Sequence, residues 1–508
     1  MEMRCLKENV LMDWRVGSGQ SQAVVEGEMT LPGGLREEAH VLYTGGMAVI
    51  NSAEAMQDRL VLSGRVVFHA LYTQGDPDRI QSIEASADFT HTMELPGVQQ
   101  RMLCQADCMV EKTSSSTSGG RLMLRAYVRC YARVLSQQPV EALSGIAGCE
   151  GLETRMQDVQ CRRTVATGSS ETMLREEFDL PAPLNVKDTL FATAQVQQVD
   201  VTGGQGRAGV TGTLLMDVCH AGGNPAQPIV TTQHAVPFMH TVELNGEAGD
   251  MLGARVTVKD VAVASQESAD GERILRAEVQ LGIQAWAEKE ERLTLLCDAY
   301  TTKGDTLTLS QTTATCKAGS SMIRTAESGK VMIALPEGSP PMRSVVFCRA
   351  MPVAGSFEQT GGRLHTEGTL VITLIYMTDD SAQPVSVTTE APFSAMFAAT
   401  AGDDDLLLLH LSNVEAAAVT SDRAEVRYIL HLTVDGIQCR EVTLITDAAP
   451  SAAEAAEDGI ILTFAQPGDD LWKIAKRYRV PAARIRDVNP EMSDPPAAGQ
   501  GVIVWRKE

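Results

Sequence analysis

Two histidines occupy matching places in two nearly identical strings and are the residues best suited to acid–base chemistry. His91 lies in FTHTMEL and His240 in FMHTVEL. A catalytic histidine needs a nucleophile or a carboxylate within hydrogen-bond reach. No such partner is repeated in the sequence, and a third version of the string has Ala395 at this place. We therefore expect histidines of the core or the surface rather than catalytic groups.

The cysteines and histidines show no spacing typical of a metal site. The chain has 11 cysteines and 9 histidines, but only Cys104 and Cys108 lie close together and no CxxC pair occurs. GxSxG, HExxH and P-loop motifs are also absent from the sequence. The sequence therefore predicts a protein that is not an enzyme and that uses no metal or other cofactor.

Composition and charge argue against several classes of partner. The net charge of −22 disfavours nucleic acids and anionic membranes. The first residues, MEMRCLKENVLMDW, lack an apolar core of signal-peptide length, and no apolar run approaches the length of about 18 residues that spans a bilayer. We therefore expect a cytosolic chain whose reduced thiols mostly fill the core.

One stretch of sequence occurs three times and organises the chain. Each copy has a glycine in a first apolar-alternating run and a phenylalanine in a second. The glycines are Gly64, Gly212 and Gly368, and the phenylalanines are Phe89, Phe238 and Phe393. Alternation with a period of two predicts half-buried strands, and the polar turn between the two runs predicts a long hairpin. A glycine inside such a strand indicates a bulge or a close backbone approach.

Further landmarks extend each copy to a unit of about 150 residues, a usual domain size. A cysteine comes first, a Leu-Pro pair follows, and an arginine lies in a second hairpin after the glycine hairpin. These residues are Cys5, Cys161 and Cys316; Leu31-Pro32, Leu180-Pro181 and Leu335-Pro336; and Arg125, Arg276 and Arg427. For the arginines we expect a solvated or ion-paired strand face rather than a ligand site.

Short strands with frequent turn signals predict a mainly β chain of three tandem β-sandwich-like domains, followed by a small α+β domain of βααβ order. Units of this size can bury their own cores, unlike solenoid repeats. The predicted domains cover residues 1–145, 146–300 and 301–446, then an acidic Ala-rich linker at 447–459 and a last domain at 460–508. Residues 140–157 are predicted to form a short helix or a linker between units.

The C-terminal segment differs in kind from the repeats. Either Asp469 or Asp470 is well placed to cap a helix that begins near Leu471. A second helix begins near Pro481, and a strand closes the unit. From Ile460 onward eight Lys and Arg oppose six Asp and Glu, a net charge of +2, so the remainder carries −24. The basic helices indicate either a docking surface for an acidic partner or an ordinary solvated face.

This segment resembles a LysM domain over residues 460–505, through PGDDLWKIAKRY, the later NP and the GQ before an apolar strand. LysM domains bind N-acetylglucosamine polymers in a groove between the first strand–helix loop and the second helix–strand loop. The resemblance places in that groove Gly468, Asp469, Asp470 and Leu471, with Asn489, Pro490, Glu491 and Met492. Asp470 replaces the usual threonine, so a hydroxyl that donates becomes a carboxylate that only accepts.

The triplicated unit is similar to the SPOCS domain of endospore-forming bacteria, through its length, its Leu-Pro pair, its glycine hairpin and the C-terminal LysM segment. This resemblance implies a non-enzymatic scaffold in the mother-cell cytosol, at the forespore surface or in the spore coat. Its partner would be the SpoIVA-type coat ATPase, bound through the LysM domain, in which Trp472 and Leu471 are expected to matter for docking or for the core. The alternative is an envelope protein that binds peptidoglycan or cortex glycan, and an enzyme is the least favoured class.

Overall fold

Side chains alternate between buried and exposed positions along the strands, as expected for sheets with one face on a core. The computed structural model describes residues 3–31, 39–74, 76–118, 121–204, 206–267, 273–380, 383–402, 405–452 and 459–506. Within these ranges the chain is mainly β-strand with two short helices near its C-terminus, which confirms the predicted mainly β class. Neither described helix is long and apolar enough to cross a bilayer.

Unit 1 (residues 4–147) has one three-stranded sheet and three strands of a second, six-stranded sheet, and these together enclose one hydrophobic cluster. Its strands are β1 (Arg4–Val10), β2 (Trp14–Met29), β3 (His40–Met56), β4 (Arg59–Gln74), β5 (Asp76–Glu94), β6 (Leu103–Ser118), β7 (Arg121–Ser136) and β8 (Val140–Ala147). One sheet has the order β3-β4-β5, and the other contains β2-β7-β6. The cluster lies between the central strands β4 and β7. Strands β1 and β8 pair with each other outside the two sheets.

Unit 2 (residues 152–301) and unit 3 (residues 306–451) repeat this arrangement, and one sheet of unit 2 has a fourth strand of two residues. Unit 2 has β9 (Leu152–Leu180), a 3-10 helix (Ala182–Leu184), β10 (Val186–Gly204), β11 (Arg207–Asn224), β12 (Gln227–Glu243), β13 (Asn245–Gly246), β14 (Met251–Glu267) and β15 (Arg273–Thr301). Unit 3 has β16 (Thr306–Ala334), β17 (Ser344–Thr360), β18 (Arg363–Met377), β19 (Val385–Phe397), β20 (Leu406–Thr420) and β21 (Arg423–Ser451). Each unit buries a hydrophobic cluster of its own between its two sheets.

The repeated glycine and phenylalanine are direct cross-strand partners. Gly64 faces Phe89 across β4 and β5, and the same pairing recurs in units 2 and 3. A Cβ atom on Gly64 would lie 2.4 Å from the carbonyl oxygen of Val49 and 2.8 Å from the Phe89 ring. The neighbouring strand β3 shifts register between Ile50 and Ser52. The glycine therefore allows a close approach beside a bulge, as the sequence pattern predicts.

Two strands of each unit continue beyond its sheets as a two-stranded ribbon. In units 2 and 3 the continuing strands are β9 with β15 and β16 with β21, and these four are the longest described strands of the chain. In unit 1 each of the two long strands is replaced by two shorter ones, β1 with β2 and β7 with β8. Strands β1 and β8 form the ribbon of this unit. The three ribbons pack together around a shared cluster that includes Met12, Cys161 and Cys316, all fully buried.

This cluster corrects the alignment of the repeated cysteines. Cys161 and Cys316 each precede the leucine of their Leu-Pro pair by the same number of residues. Met12 precedes Leu31 by that number as well. The counterpart in unit 1 is therefore Met12, while Cys5 lies on β1 and is half-buried among the ribbon residues. Pro32 of the first Leu-Pro pair lies outside the described residues.

A second shared cluster closes the opposite end of the three units. Tyr43, Phe191 and Phe347 come from equivalent places on β3, β10 and β17, and their ring centroids are 5.9, 5.4 and 6.5 Å apart. These distances form a nearly equilateral triangle. The three units therefore surround a common axis, with buried aromatic rings at one end and the ribbons at the other.

Charged side chains are buried where the units meet. Asp435 of unit 3 accepts from Arg133 of unit 1 at 2.9 Å and also binds Arg255 of unit 2. Burial alone would raise the pKa of Asp435, but the two guanidinium groups hold it below its usual value. Lys317 of unit 3 binds Glu288 of unit 2 at 2.5 Å, and both side chains are almost fully buried.

Two predicted boundary segments prove to be strand. Residues 140–147 form β8 because they pair with β1, and β9 begins at Leu152, so the region 140–157 is neither a helix nor a linker. Strand β21 extends to Ser451 because its last residues pair with the start of β16, which leaves 447–451 outside any linker. Residues 453–458 of the predicted linker lie outside the described residues.

We expect the variant Asp435→Asn to destabilise the protein by about 3–5 kcal/mol, because it leaves two buried guanidinium groups without their shared carboxylate. Urea unfolding of the full chain measures this change. The matched control is Glu26→Gln, which removes an exposed partner of Arg125 and should have little effect. Equal stability of the two variants would contradict a role of Asp435 in holding the units together.

Candidate functional site

The C-terminal domain consists of β22 (Gly459–Phe464), α1 (Leu471–Tyr478), α2 (Ala482–Val488) and β23 (Gly501–Arg506). Strand β22 pairs with β23, and the helices cover one face of this hairpin. Leu471, Ile474 and Ile485 face the small core, as their helical spacing predicts. This is the βααβ order expected from the sequence.

The two neighbouring aspartates have different roles. Asp470 is the N-cap of α1 and accepts from the Lys473 backbone N–H at 2.7 Å. Asp469 accepts the backbone N–H of Gln466 at 2.9 Å and binds Arg477 with both carboxylate oxygens, at 2.7 and 3.0 Å. The Arg477 side chain and the Gln466 N–H hold the pKa of Asp469 below its usual value. Both carboxylates therefore have partners within the protein.

The two loops predicted to form a groove are tied together. Asp494 accepts the backbone N–H of Leu471 at 2.9 Å, which joins the second loop to the start of α1. Asn489 donates to the carbonyl oxygen of Ile503 at 2.7 Å and accepts its N–H at 2.9 Å. Asn489 therefore fixes the end of α2 to β23.

The remaining predicted groove residues differ in exposure. Gly468 is exposed with a φ of 80°, a backbone conformation that favours glycine. Pro490 and Glu491 are exposed, and Met492 is half-buried against the domain core. The structure thus places seven of the eight groove residues in the two expected loops and Leu471 at the first position of α1, but Asp469, Asp470 and Leu471 are held by other protein groups.

Helix α1 docks on the end of the unit 2 ribbon. The Trp472 ring lies edge-on to Tyr300 with centroids 4.9 Å apart, and its Nε1 donates to Asp298 at 2.8 Å. Lys476 binds the other oxygen of Asp298 at 2.5 Å. The Tyr300 hydroxyl donates to the carbonyl oxygen of Val480 at 2.8 Å. Trp472, which falls outside the apolar stripe of α1, therefore packs against the protein's own unit 2.

Charged residues extend this contact. Arg155 on β9 binds Asp470 at 2.8 Å, and Arg479 donates to the carbonyl oxygens of Thr301 and Gly304 at 3.1 and 2.5 Å. Burial acts to raise the pKa of Asp470, but the N-cap hydrogen bond and Arg155 bring it below its usual value. Much of the basic surface predicted for an acidic partner is thus used within the chain.

The other face of the β22–β23 hairpin is open and apolar. Its outward side chains are Ile460 (76% exposed), Leu462 (64%), Phe464 (62%), Ile503 (42%) and Trp505 (44%). Ile460 lies opposite Trp505, and Leu462 lies opposite Ile503. A contiguous exposed apolar patch is unusual on a soluble protein and marks a contact site. The sequence could have indicated this face. Val502 and Val504 supply the buried side of β23, so the apolar residues that alternate with them must point outward.

The histidines have partners that sequence reasoning missed. His91 shares a hydrogen bond of 2.7 Å with the Ser21 hydroxyl, and His240 shares one of 2.9 Å with Ser170. Each pair joins the two sheets of its unit, and unit 3 has Ala395 in place of the histidine. Ser21 and His91 are separated by the same number of residues as Ser170 and His240, and this equal spacing could have indicated the two pairs. These pairs stabilise the sandwiches, and burial lowers the pKa of His91.

The repeated arginines are ion-paired on exposed strand faces, which confirms that prediction. Arg125 binds Glu26 at 2.6 Å, and Arg276 binds Glu177 at 2.7 Å. Arg427 binds its neighbour Glu425 at 2.7 Å. In the part of the chain that the structure describes, no group of three or more His, Cys, Asp or Glu side chains is arranged to hold a metal ion.

Comparison with known families agrees with this architecture. Residues 39–117, from β3 into β6, match the family model described as SipL, SPOCS domain, and residues 465–505 match that of the LysM domain. No curated protein and no solved structure shows significant similarity. The chain is therefore a modular protein with binding domains of a spore-related and a glycan-binding-capable type. These two matches confirm the predicted resemblance to SPOCS and LysM domains, which is the combination of a SipL-like protein.

We expect Asp298→Ala to release α1 from unit 2, because Asp298 is the shared acceptor for Trp472 and Lys476. Faster amide hydrogen exchange in α1 and a red shift of tryptophan fluorescence would report the release. The control Asp158→Ala removes an exposed carboxylate of the same ribbon that accepts from Thr294 and does not contact the helix. Unchanged exchange in Asp298→Ala would show that the docked position does not depend on this carboxylate.

Proposed function

We propose that the protein is a non-enzymatic scaffold in spore coat assembly that docks coat layers to the forespore by binding a SpoIVA-type coat ATPase through its LysM domain. All three β units would be SPOCS domains, since units 2 and 3 repeat the glycine–phenylalanine pairing of the matched segment. The protein would act in the mother-cell cytosol, at the forespore surface.

The open apolar face of the LysM hairpin is the observation that carries this proposal. Interfaces depend on a few large apolar and aromatic anchors, and this face supplies Phe464 and Trp505 beside three aliphatic side chains. Because α1 is held on unit 2 through Trp472, the opposite face points away from the β units. A protein partner can therefore bind the hairpin without displacing the docked helix.

From the sequence, Trp472 and Leu471 are expected to matter for docking or for the core of the small domain. In the docked arrangement Leu471 lies in the small core and Trp472 contacts Tyr300. We propose that both residues support partner binding indirectly, since they fix the domain that presents the apolar face. A partner that contacted Trp472 directly would first have to separate the domain from unit 2.

Glycan binding by the LysM domain is the second candidate, and the family match favours it. Asp470, which stands in the predicted groove, is bound by Arg155 of unit 2, and the Leu471 N–H is already satisfied by Asp494. Retention of the full chain on insoluble peptidoglycan tests this candidate. Retention that increases in Arg155→Ala would favour a glycan groove uncovered by undocking, whereas no retention of either chain would favour the scaffold.

We expect the double variant Leu462→Ser and Ile503→Ser to weaken capture of the coat ATPase by about tenfold or more, because it removes a cross-strand pair at the centre of the apolar face. Pull-down with purified ATPase measures this effect. The control Met239→Ser alters an apolar side chain that is 78% exposed on unit 2. Wild-type capture by the folded double variant, or equal loss in the control, would refute the docking role of this face.

A further inference from the structure

The seam between units 2 and 3 contains a cavity of about 370 Å³. Strands β10 and β11 form one wall, and β16, β20 and β21 form the other. Three lining side chains carry or can carry a positive charge: Arg324, His410 and His431. The rest of the lining includes amide and hydroxyl donors from Gln197, Gln198, Thr213 and Thr433. The cavity thus combines one guanidinium group and two ionisable imidazole rings with neutral hydrogen-bond donors.

The two histidines are direct cross-strand partners on β20 and β21. Their rings stack with centroids 4.6 Å apart and planes inclined by 3°. The nitrogen lone pairs of parallel rings lie in separate planes and do not converge, which disfavours a metal ion between them. His431 shares a hydrogen bond of 2.7 Å with Ser412. His410 forms no hydrogen bond with the described residues, so its ring nitrogens remain available to a ligand.

Arg324 has no hydrogen bond or ion pair with any residue in the described ranges. Asp200 and Asp435 are the carboxylates that influence it, at longer range. Asp435 already binds Arg133 and Arg255, and Asp200 accepts from Gln198. Arg324 is an exposed residue, and its partial desolvation nevertheless lowers its pKa despite both carboxylates. A guanidinium group in a cleft, beside two imidazole rings and without a bound carboxylate, is a site for an external anion.

We propose that this cavity binds a small oxyanion, a phosphate or a carboxylate, held by the Arg324 guanidinium group and by a ring nitrogen of His410. The planar fork of arginine matches two oxygens of such a ligand. An anion beside His410 and His431 would also offset the repulsion between Arg324 and either ring once that ring is protonated. The bound ligand would connect β16 and β20 of unit 3 across the seam to the amides on β10 of unit 2.

Binding should strengthen as the pH falls. Burial, together with His431 and Arg324, lowers the pKa of His410 to about 3, and burial lowers the pKa of His431. Both rings are therefore neutral at pH 7 in the empty cavity. An anion stabilises the protonated ring and so raises its pKa, which couples binding to proton uptake. Asp200, Asp435 and Arg324 are the other charged groups that act on this site.

Isothermal titration calorimetry of the full chain tests the site with two probes, sulfate for tetrahedral anions and acetate for carboxylates. Sulfate keeps its charge between pH 7.5 and 5.5, so a change in its affinity reports protonation of the protein. We expect one site per chain that binds at least one probe, with affinity about threefold or more higher at pH 5.5. The probe that binds more tightly identifies the class of ligand.

Variants assign the site to its residues. Arg324→Gln should lower the affinity by about tenfold or more, and His410→Gln should remove the pH dependence. The control Arg276→Gln alters an arginine that is paired with Glu177 on an exposed face and should bind like the wild type. Thermal unfolding of each variant shows that it is folded. Failure of both probes to bind, or undiminished binding by folded Arg324→Gln, would overturn the proposal.

Discussion

The molecule depends on antiparallel pairing that continues from the sheets into the ribbons. Strands β9 with β15, and β16 with β21, remain hydrogen-bonded partners from end to end, so each ribbon is a direct extension of its sandwich. The register shifts near Glu288 and Lys317, where the ribbons begin and where these two residues form a buried ion pair. Because the two paired strands must turn together, the position of each sandwich determines the direction of its ribbon, and the end of the unit 2 ribbon in turn holds the LysM domain.

The hairpins were predictable because their pairing is local. Gly64 and Phe89 belong to consecutive strands, and the same contact recurs twice, so alternation and repetition both report it. The ribbons were not predictable in this way. Residues 140–147 pair with residues 4–10, which lie at the opposite end of the unit 1 sequence. Residues 140–147 have the composition of a linker between domains. The burial that makes them strands comes from the other two ribbons, which a local pattern cannot reveal.

The candidate site shows the same limit. The cap at Asp470 and the core stripe of α1 follow from neighbouring residues and could be read directly. The partners of Trp472 could not be predicted in this way. Asp298 and Tyr300 belong to unit 2, and the whole of unit 3 separates them from Trp472 in the sequence. The sequence left open whether the basic helices form a docking surface or an ordinary solvated face, and much of their charge meets carbonyl and carboxylate groups of the same chain. Composition indicates that a cationic surface needs partners, but not which chain supplies them.

Three units around one axis create three seams that need not remain alike. The Ser–His pairs are kept in units 1 and 2, while unit 3 has Ala395 at the histidine position. The seam of units 2 and 3 instead holds the stacked His410 and His431. A shared axis explains how this divergence is tolerated, because the buried clusters at both ends hold the units together whatever lines the seams between them. The repeated clusters therefore stabilise the three-unit assembly. The side chains that line each seam can then differ, and one seam can acquire a binding site.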